Sequence, residues 1–364
     1  MLDWTVLAAL FEPLTVRSLT LRNRVWVAPM CQYSVFDEDG VPTPWHLVHL
    51  GALATGGSAL VISEATAVTP DGRISPRDTG IWTDQQRDAW KPIVEFIHSQ
   101  GAAAGIQLAH AGRKGSTYPA WGTEKHGTVP VSEGGWTAVA PSAVAFPGYA
   151  DPVALDPAGI DAIVDAFVAA ALRAVEAGFD LLEIHAAHGY LMHQFLSPLS
   201  NQRDDEFGGS LENRARLLLR TVGAIRAAIG DEMPLLVRFS ATDWTEGGWD
   251  QEQTSTVAGW ARSAGADFFD ISSGGNVAAT VPLKPGYQVP FAEYVRSRAD
   301  VPTSAVGLIT DPQQAEEIVA SGKADVVMLA RELLRDPHWP LRAAHELGVE
   351  LDYWPGQYLR AKWH

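Results

Sequence analysis

His185, His188 and Tyr190 follow directly on the short apolar run Leu181–Ile184, and they are the residues in this sequence best suited to chemistry. An apolar run that stops abruptly at such side chains has the form of a buried parallel strand whose C-terminal end delivers reactive groups into a pocket. Imidazole and phenol groups there can hold and transfer protons. The His-x-x-His spacing could also ligate a metal in a barrel hydrolase or lyase, with Cys31 or a carboxylate as third ligand. It sits at a strand end rather than on the helix of a His-Glu-x-x-His metalloprotease, and no second histidine cluster completes it. Ordinary hydrogen-bonded strand-end histidines are the plain alternative.

A second constellation lies in the other half of the chain. Gly307, Ala330-Arg331 and Ser272 to Gly275 each follow a short apolar run. Glycines let backbone N–H groups approach an anion, and Arg331 adds a planar bidentate donor, so these segments suit a phosphate. Gln107 and Arg238 follow similar runs, where a ring system attached to that phosphate could extend. An arginine at the end of an interior strand is costly to bury without an anionic or electron-rich partner. A flavin ring is one such partner; a barrel carboxylate such as Glu183 is the other. No Gly-x-Gly-x-x-Gly turn or P-loop occurs, so a separate dinucleotide domain is not expected, and a nicotinamide would have to visit the substrate's own pocket.

The elements that must position these groups read as eight strand-helix units, with strands at Arg24–Pro29, Ala59–Ser63, Ala103–Leu108, Leu181–Ile184, Leu235–Phe239, Phe268–Ile271, Thr303–Val306 and Val326–Leu329. Amphipathic helices fall between them, such as Pro157–Ala177, whose apolar positions Ile160, Ile163, Val164, Phe167, Val168 and Ala171 follow helical spacing. The spacing predicts an α/β fold, a (β/α)8 TIM barrel forming one domain over residues 1–364, with its reactive residues gathered after the strands at one face. His110 to Asp156, rich in Gly, Pro, Ser and Trp, is too long for an ordinary connection and is expected to be a lid or a set of small hairpins.

Composition bounds the function. A net charge of -16 disfavours nucleic acid and anionic lipid surfaces as partners. The single cysteine, Cys31, forms no intramolecular disulfide and cannot hold an iron–sulfur cluster alone, which fits a reducing cytoplasm. The N-terminal run through Phe11 lacks a basic region before a long apolar segment, and no stretch approaches the roughly 20 apolar residues of a membrane span. An untargeted cytoplasmic chain is expected.

Four runs carry a resemblance: Ala-Pro-Met-Cys-Gln-Tyr-Ser at 28–34, Gln-Leu-Ala-His-Ala-Gly-Arg-Lys at 107–114, His-Ala-Ala-His-Gly-Tyr-Leu at 185–191, and Ser-Pro-Leu-Ser-Asn-Gln-Arg-Asp-Asp-Glu-Phe-Gly-Gly-Ser-Leu-Glu-Asn-Arg at 197–214. In this order they resemble the old yellow enzyme family, and the likeness extends from Leu10 to Trp363. Cys31 with Tyr33 resembles its bacterial xenobiotic-reductase, or thermophilic-like, subgroup of ene-reductases. The resemblance implies non-covalent FMN, with Pro29, Met30, Cys31, Ala65, Gln107 and Arg238 along the isoalloxazine. It places Ser272, Gly307 and Arg331 at the ribityl phosphate, and Ala330, where relatives often have glycine, keeps its backbone donor.

The implied activity is ping-pong reduction of activated alkenes by NADPH or NADH, with hydride passing through flavin N5. His185 and His188 would then donate to the substrate oxygen, and Tyr190 would protonate the α-carbon. Tyr33 and Lys114 would complete the substrate pocket. The C-terminal tail, 352–364, carries Trp354, Tyr358, Trp363 and Arg360; the resemblance implies a homodimer or homotetramer in which Arg360 reaches a neighbouring site. Iron–sulfur dienoyl-CoA reductases of the same family are excluded by the lone cysteine and the short chain.

Overall fold

The computed structural model describes residues 8–363. The beginning of the N-terminal run read as untargeted, Met1 to Leu7, lies outside the described residues. Leu14–Val16 (β1) and Leu19–Leu21 (β2) pair antiparallel as a hairpin. Eight parallel strands close a barrel: β3 (Val25–Val27), β4 (Leu60–Ala67), β5 (Ala103–Ala109), β8 (Leu181–Ala186), β9 (Leu235–Ser240), β10 (Phe268–Ser272), β11 (Thr303–Ala305) and β12 (Val326–Leu329), with β12 pairing back on β3. The intervening β6 (Val139–Ala140) and β7 (Val153–Ala154) lie in the insertion and pair with each other. This is the expected (β/α)8 architecture.

The crossovers are α1 (Pro44–Thr55), α2 (Asp84–Ser99), α3 (Pro157–Ala177), α5 (Leu211–Ile229), α6 (Gln251–Ala264), α7 (Val289–Ala299) and α8 (Pro312–Ala320). Their starts are set by side chains that satisfy the otherwise unpaired first N–H groups: Asp156, Ser210, Asp250 and Asp311 each accept from the backbone N–H three residues on. Three short helices were not legible in the sequence: α4 (Leu191–Leu196), α9 (Arg331–Arg335) and α10 (Trp339–Glu346). All three are too short for a clear helical period.

The barrel interior is divided in two. Trp26, Leu60, Ile62, Leu181, Leu236, Phe268, Val326 and Met328 form an apolar cluster that also contains Val16 and Leu21 of the hairpin, which covers that end. Above it, toward the strand C-termini, the buried inward residues are polar: Gln107, Glu183, His185, Arg238, Asp270 and Ser304. The larger cluster, between the outer face of the strands and the helices, supplies most of the apolar burial.

Two expectations need correction. β4 continues to Ala67 rather than stopping at Ser63, because a bulge between Ile62 and Ala65 lets the strand turn and resume pairing, which sets Ala65 opposite Gln107. The insertion is not a set of hairpins: its two-residue strands are parallel, and it holds one isolated antiparallel bridge, Thr117 with Thr128. Hydrogen bonds tie it to the barrel, from Trp121 Nε1 to Gln32 O at 2.9 Å, Trp136 Nε1 to Asp71 O at 2.8 Å and Arg113 Nη2 to Asn276 O at 2.6 Å.

Candidate active site

The end of β8 turns sharply into α4. His188 adopts a left-handed conformation, φ +57°, and Gly189 follows at +74°. The turn lets two backbones meet: a Cβ on Gly189 would lie 2.2 Å from Gly275 O, and one on Gly275 would lie 2.7 Å from the His188 backbone. Only glycine permits that approach. Lys114 spans the same junction, donating from Nζ to His188 O at 2.8 Å and to Gly275 O at 2.9 Å. Its ammonium also lies 5.1 Å from the Tyr190 ring centroid. Burial, aided by the charge on Arg113, brings the Lys114 pKa down to about 8.

This turn gathers the three residues singled out in the sequence. The His185 ring lies 5.2 Å from that of His188 and 4.9 Å from that of Tyr190, edge-on to both. Burial, reinforced by Arg238, holds both histidines well below the usual imidazole range, so they are neutral at pH 7. His185 Nδ1 accepts from Ala187 N–H at 3.3 Å, which leaves its Nε2 to carry the proton. His188 Nε2 lies 2.7 Å from Ser272 Oγ, and that hydroxyl donates onward to Gln288 Oε1 at 3.3 Å. Burial and the neighbouring Cys31 and Tyr33 push the Tyr190 phenol well above its usual range.

Tyr190, Tyr33 and Cys31 pack against one small apolar cluster of Ala65, Ile74, Ala109 and Ala111. Burial raises the Cys31 thiol far above its ordinary value, with Asp78 and Glu64 adding to the effect, so it stands as a neutral thiol rather than a nucleophile. Pro29 and Met30 precede it, just past the end of β3.

Across the mouth, Ser272, Tyr287, Gln288, Gly307, Ala330 and Arg331 line a cavity of about 170 Å³. Gly307 has φ +120°, and a Cβ there would meet Gln288 Nε2 and Tyr287 Cε1 at 2.9 Å. Between the two regions lies Arg238, whose partner is Asp270 on the next strand, with Nε 2.6 Å from Oδ2, rather than Glu183. Strand register decides this, since Arg238 and Asp270 are directly paired. The two groups form a close buried ion pair. Among the described residues, no group of three or more His, Cys, Asp or Glu side chains is placed to hold a metal ion.

A family model described as the NADH:flavin oxidoreductase / NADH oxidase family matches residues 9–350. The NADPH dehydrogenase of Halalkalibacterium halodurans is 47% identical over 352 residues, spanning 97% of this chain and 98% of the relative. That of Bacillus subtilis is 45% identical over 352 residues, 96% and 98% of the two chains. Among solved structures, the old yellow enzyme homologue from Zymomonas mobilis superposes with a TM-score of 0.78 at 28% identity, covering 97% of this chain and 98% of its own. The chain belongs to the old yellow enzyme family. Morphinone reductase, 31% identical, aligns with a TM-score of 0.77 over 94% of this chain and 90% of its own.

As an old yellow enzyme family member the chain is an FMN-dependent NAD(P)H oxidoreductase. Its residues fit that cofactor. The small cavity bordered by Gly307 and Arg331 suits a phosphate, and Arg238, buried in the polar layer of the barrel, offers a fixed cation to an electron-rich ring. Arg360 is placed elsewhere: it is exposed within a 3-10 turn, Gly356–Ala361. The tail folds onto its own chain, with Trp363 stacked on His345 at 5.1 Å and Tyr358 against His338 at 5.6 Å.

Sequence reasoning passed over His193, Asp243 and Gln288. His193 Nδ1 accepts from Gly189 N–H at 2.9 Å and its Nε2 contacts Asp243 Oδ1 at 3.0 Å, both side chains fully buried. Gln288 bridges Ser273 Oγ at 2.6 Å and Val306 O at 3.1 Å. A signal existed for His193, which falls on the inner face of α4 one turn after Gly189. Gln288 lies in a loop with no period to follow.

Proposed function

We propose that this enzyme reduces the C=C bond of activated alkenes, namely α,β-unsaturated carbonyl, nitro or imide compounds. The observation that carries the reading is the meeting of His185, His188 and Tyr190 around one mouth, with both imidazoles neutral and the phenol held protonated. FMN, when bound, supplies the hydride chemistry between NAD(P)H and the alkene; Pro29, Met30, Cys31, Ala65, Gln107 and Arg238 would border its ring, and Ser272, Gly307, Ala330 and Arg331 its phosphate end.

The chain's own residues do the rest. His185 donates from Nε2 to the substrate oxygen, and His188 exchanges its Ser272 hydrogen bond for the same atom. As fixed donors in a buried site, each lowers the barrier by about 3 kcal/mol. Tyr190 holds a proton at Oη and gives it to the α-carbon, while Tyr33 reaches the bound oxygen from the Cys31 side. Lys114, engaged with two carbonyls, shapes the mouth by fixing the His188–Gly275 junction. Arg360 projects from the subunit surface and enters a neighbour's site in a dimer or tetramer. The lone thiol suits work in a reducing cytoplasm, and the insertion covers the mouth as a lid.

Anaerobic stopped-flow reduction with NADPH and NADH, followed by reoxidation with cyclohexenone, a nitroalkene and a maleimide, tests the proposal. Rapid reoxidation by at least one of the three is expected. Failure of every activated alkene to reoxidise the flavin overturns it.

A further inference from the structure

Glu183 is completely buried in the polar layer of the barrel and has no part in the chemistry above. Its Oε1 accepts from Gln107 Nε2 at 2.7 Å, and its Oε2 is buried without a hydrogen bond. A buried carboxyl with one oxygen unmet is expensive, so its retention calls for a use. The groups facing it are few. Gln107 stands on β5, Arg238 on β9, Asp270 on β10 with Ser304 of β11 donating to Asp270 Oδ1 at 2.7 Å, and neutral His185 lies two residues along its own strand.

Two consequences follow from this arrangement. One N–H of the Gln107 amide is taken by the carboxyl, which fixes the amide's orientation and leaves its second N–H and its carbonyl oxygen for the cofactor. The charge on Arg238 is already matched by Asp270 at 2.6 Å, so an ionised Glu183 makes the layer net negative, with two carboxylates against one guanidinium. Reduction brings further negative charge to the same mouth. Protonating Glu183 is the way this layer can offset it.

We infer that Glu183 is a positioning residue of the cofactor site, fixing the orientation of the Gln107 amide and taking up one proton from solvent when the cofactor is reduced. This rests on Gln107 and Arg238 facing FMN. The new O–H bond forms on Oε2, the oxygen without a partner; the two electrons come from NAD(P)H and none passes to the carboxyl. Burial, with Asp270 adding to it, already pushes the Glu183 pKa up to about 8, against the opposing pull of Arg238 and the Gln107 hydrogen bond. Below that pH both redox states hold the proton. Above it the reduced enzyme binds one more proton than the oxidised enzyme, and the potential falls more steeply as pH rises.

Spectroelectrochemical titration of the FMN-loaded enzyme from pH 6 to 10 tests this, using wild type and Glu183→Gln. Each pH unit is a tenfold change in proton activity, so above pH 8 the wild type should show an extra slope of about 30 mV per unit for the two-electron couple. Glu183→Gln should lack it while keeping bound flavin. Equal slopes in the two proteins overturn the inference. If the variant does not fold, the wild type decides: pH-indicator measurement of proton uptake at pH 9 should give one proton per flavin more than free FMN, and equality with free FMN overturns the role. A preparation that binds no flavin would instead overturn the placing of the cofactor.

Discussion

His193 and Asp243 form a fully buried pair, Nε2 to Oδ1 at 3.0 Å, and His193 in turn holds Gly189 N–H, so the turn carrying His188 and Tyr190 is anchored to β9's following loop. Burial opposes ionisation of Asp243, but His193, the Ser197 hydroxyl and Trp249 N–H outweigh it and bring the carboxyl down to about 2. Because the folded value lies below the unfolded one, the resulting stability is present above about pH 4 and is lost as pH falls toward 2. Asp243→Ala should cost about 2 kcal/mol at pH 7 by leaving the buried His193 Nε2–H without its acceptor. In urea titrations the gap between wild type and variant should narrow by on the order of 2 kcal/mol between pH 4 and pH 2.

His185→Ala and His188→Ala should each slow alkene-driven reoxidation by about 10²–10³-fold, with FMN content unchanged. The double variant should lose less than the product of the two, since both donors serve one oxygen. Single-turnover stopped flow distinguishes this from lost cofactor, because the flavin absorbance would remain.

Tyr190→Phe should slow the protonation step by about 10²–10⁴-fold. As burial raises the Tyr190 phenol above its usual range, the wild-type reoxidation rate should show no decline from Tyr190 ionisation up to pH 10. A fall with midpoint near 10 in the wild type, absent in the variant, would contradict the buried phenol.

Gly307→Ala adds a Cβ at φ +120° into contact at 2.9 Å with Tyr287 and Gln288. Strain there should weaken FMN binding by about tenfold, or about 1.4 kcal/mol. Release of fluorescent FMN on dilution measures it, and an unchanged far-ultraviolet spectrum would show the barrel intact.

Deleting residues 356–364 should lower both the oligomeric mass by light scattering and the affinity for cyclohexenone at the flavin site. Arg360→Ala should affect the second alone. If neither deletion effect is seen, the shared-site reading fails.

Much of this protein is set by its sequence. Alternating strand and helix periods specify the barrel, because each amphipathic helix can bury its apolar face only against a strand layer, and His185, His188 and Tyr190 stand at a strand end wherever that strand sits. What the linear pattern cannot carry is pairing across the barrel. Arg238 could have met Glu183 or Asp270; register put Asp270 opposite it and left Glu183 to Gln107. The bulge that sets Ala65 beside Gln107, the glycine contact between Gly189 and Gly275, and the His193–Asp243 anchor all depend on residues far apart in the chain meeting in three dimensions. Local propensity writes the elements, while the electrostatics of the mouth arise only once the closing strands fix which charges are neighbours.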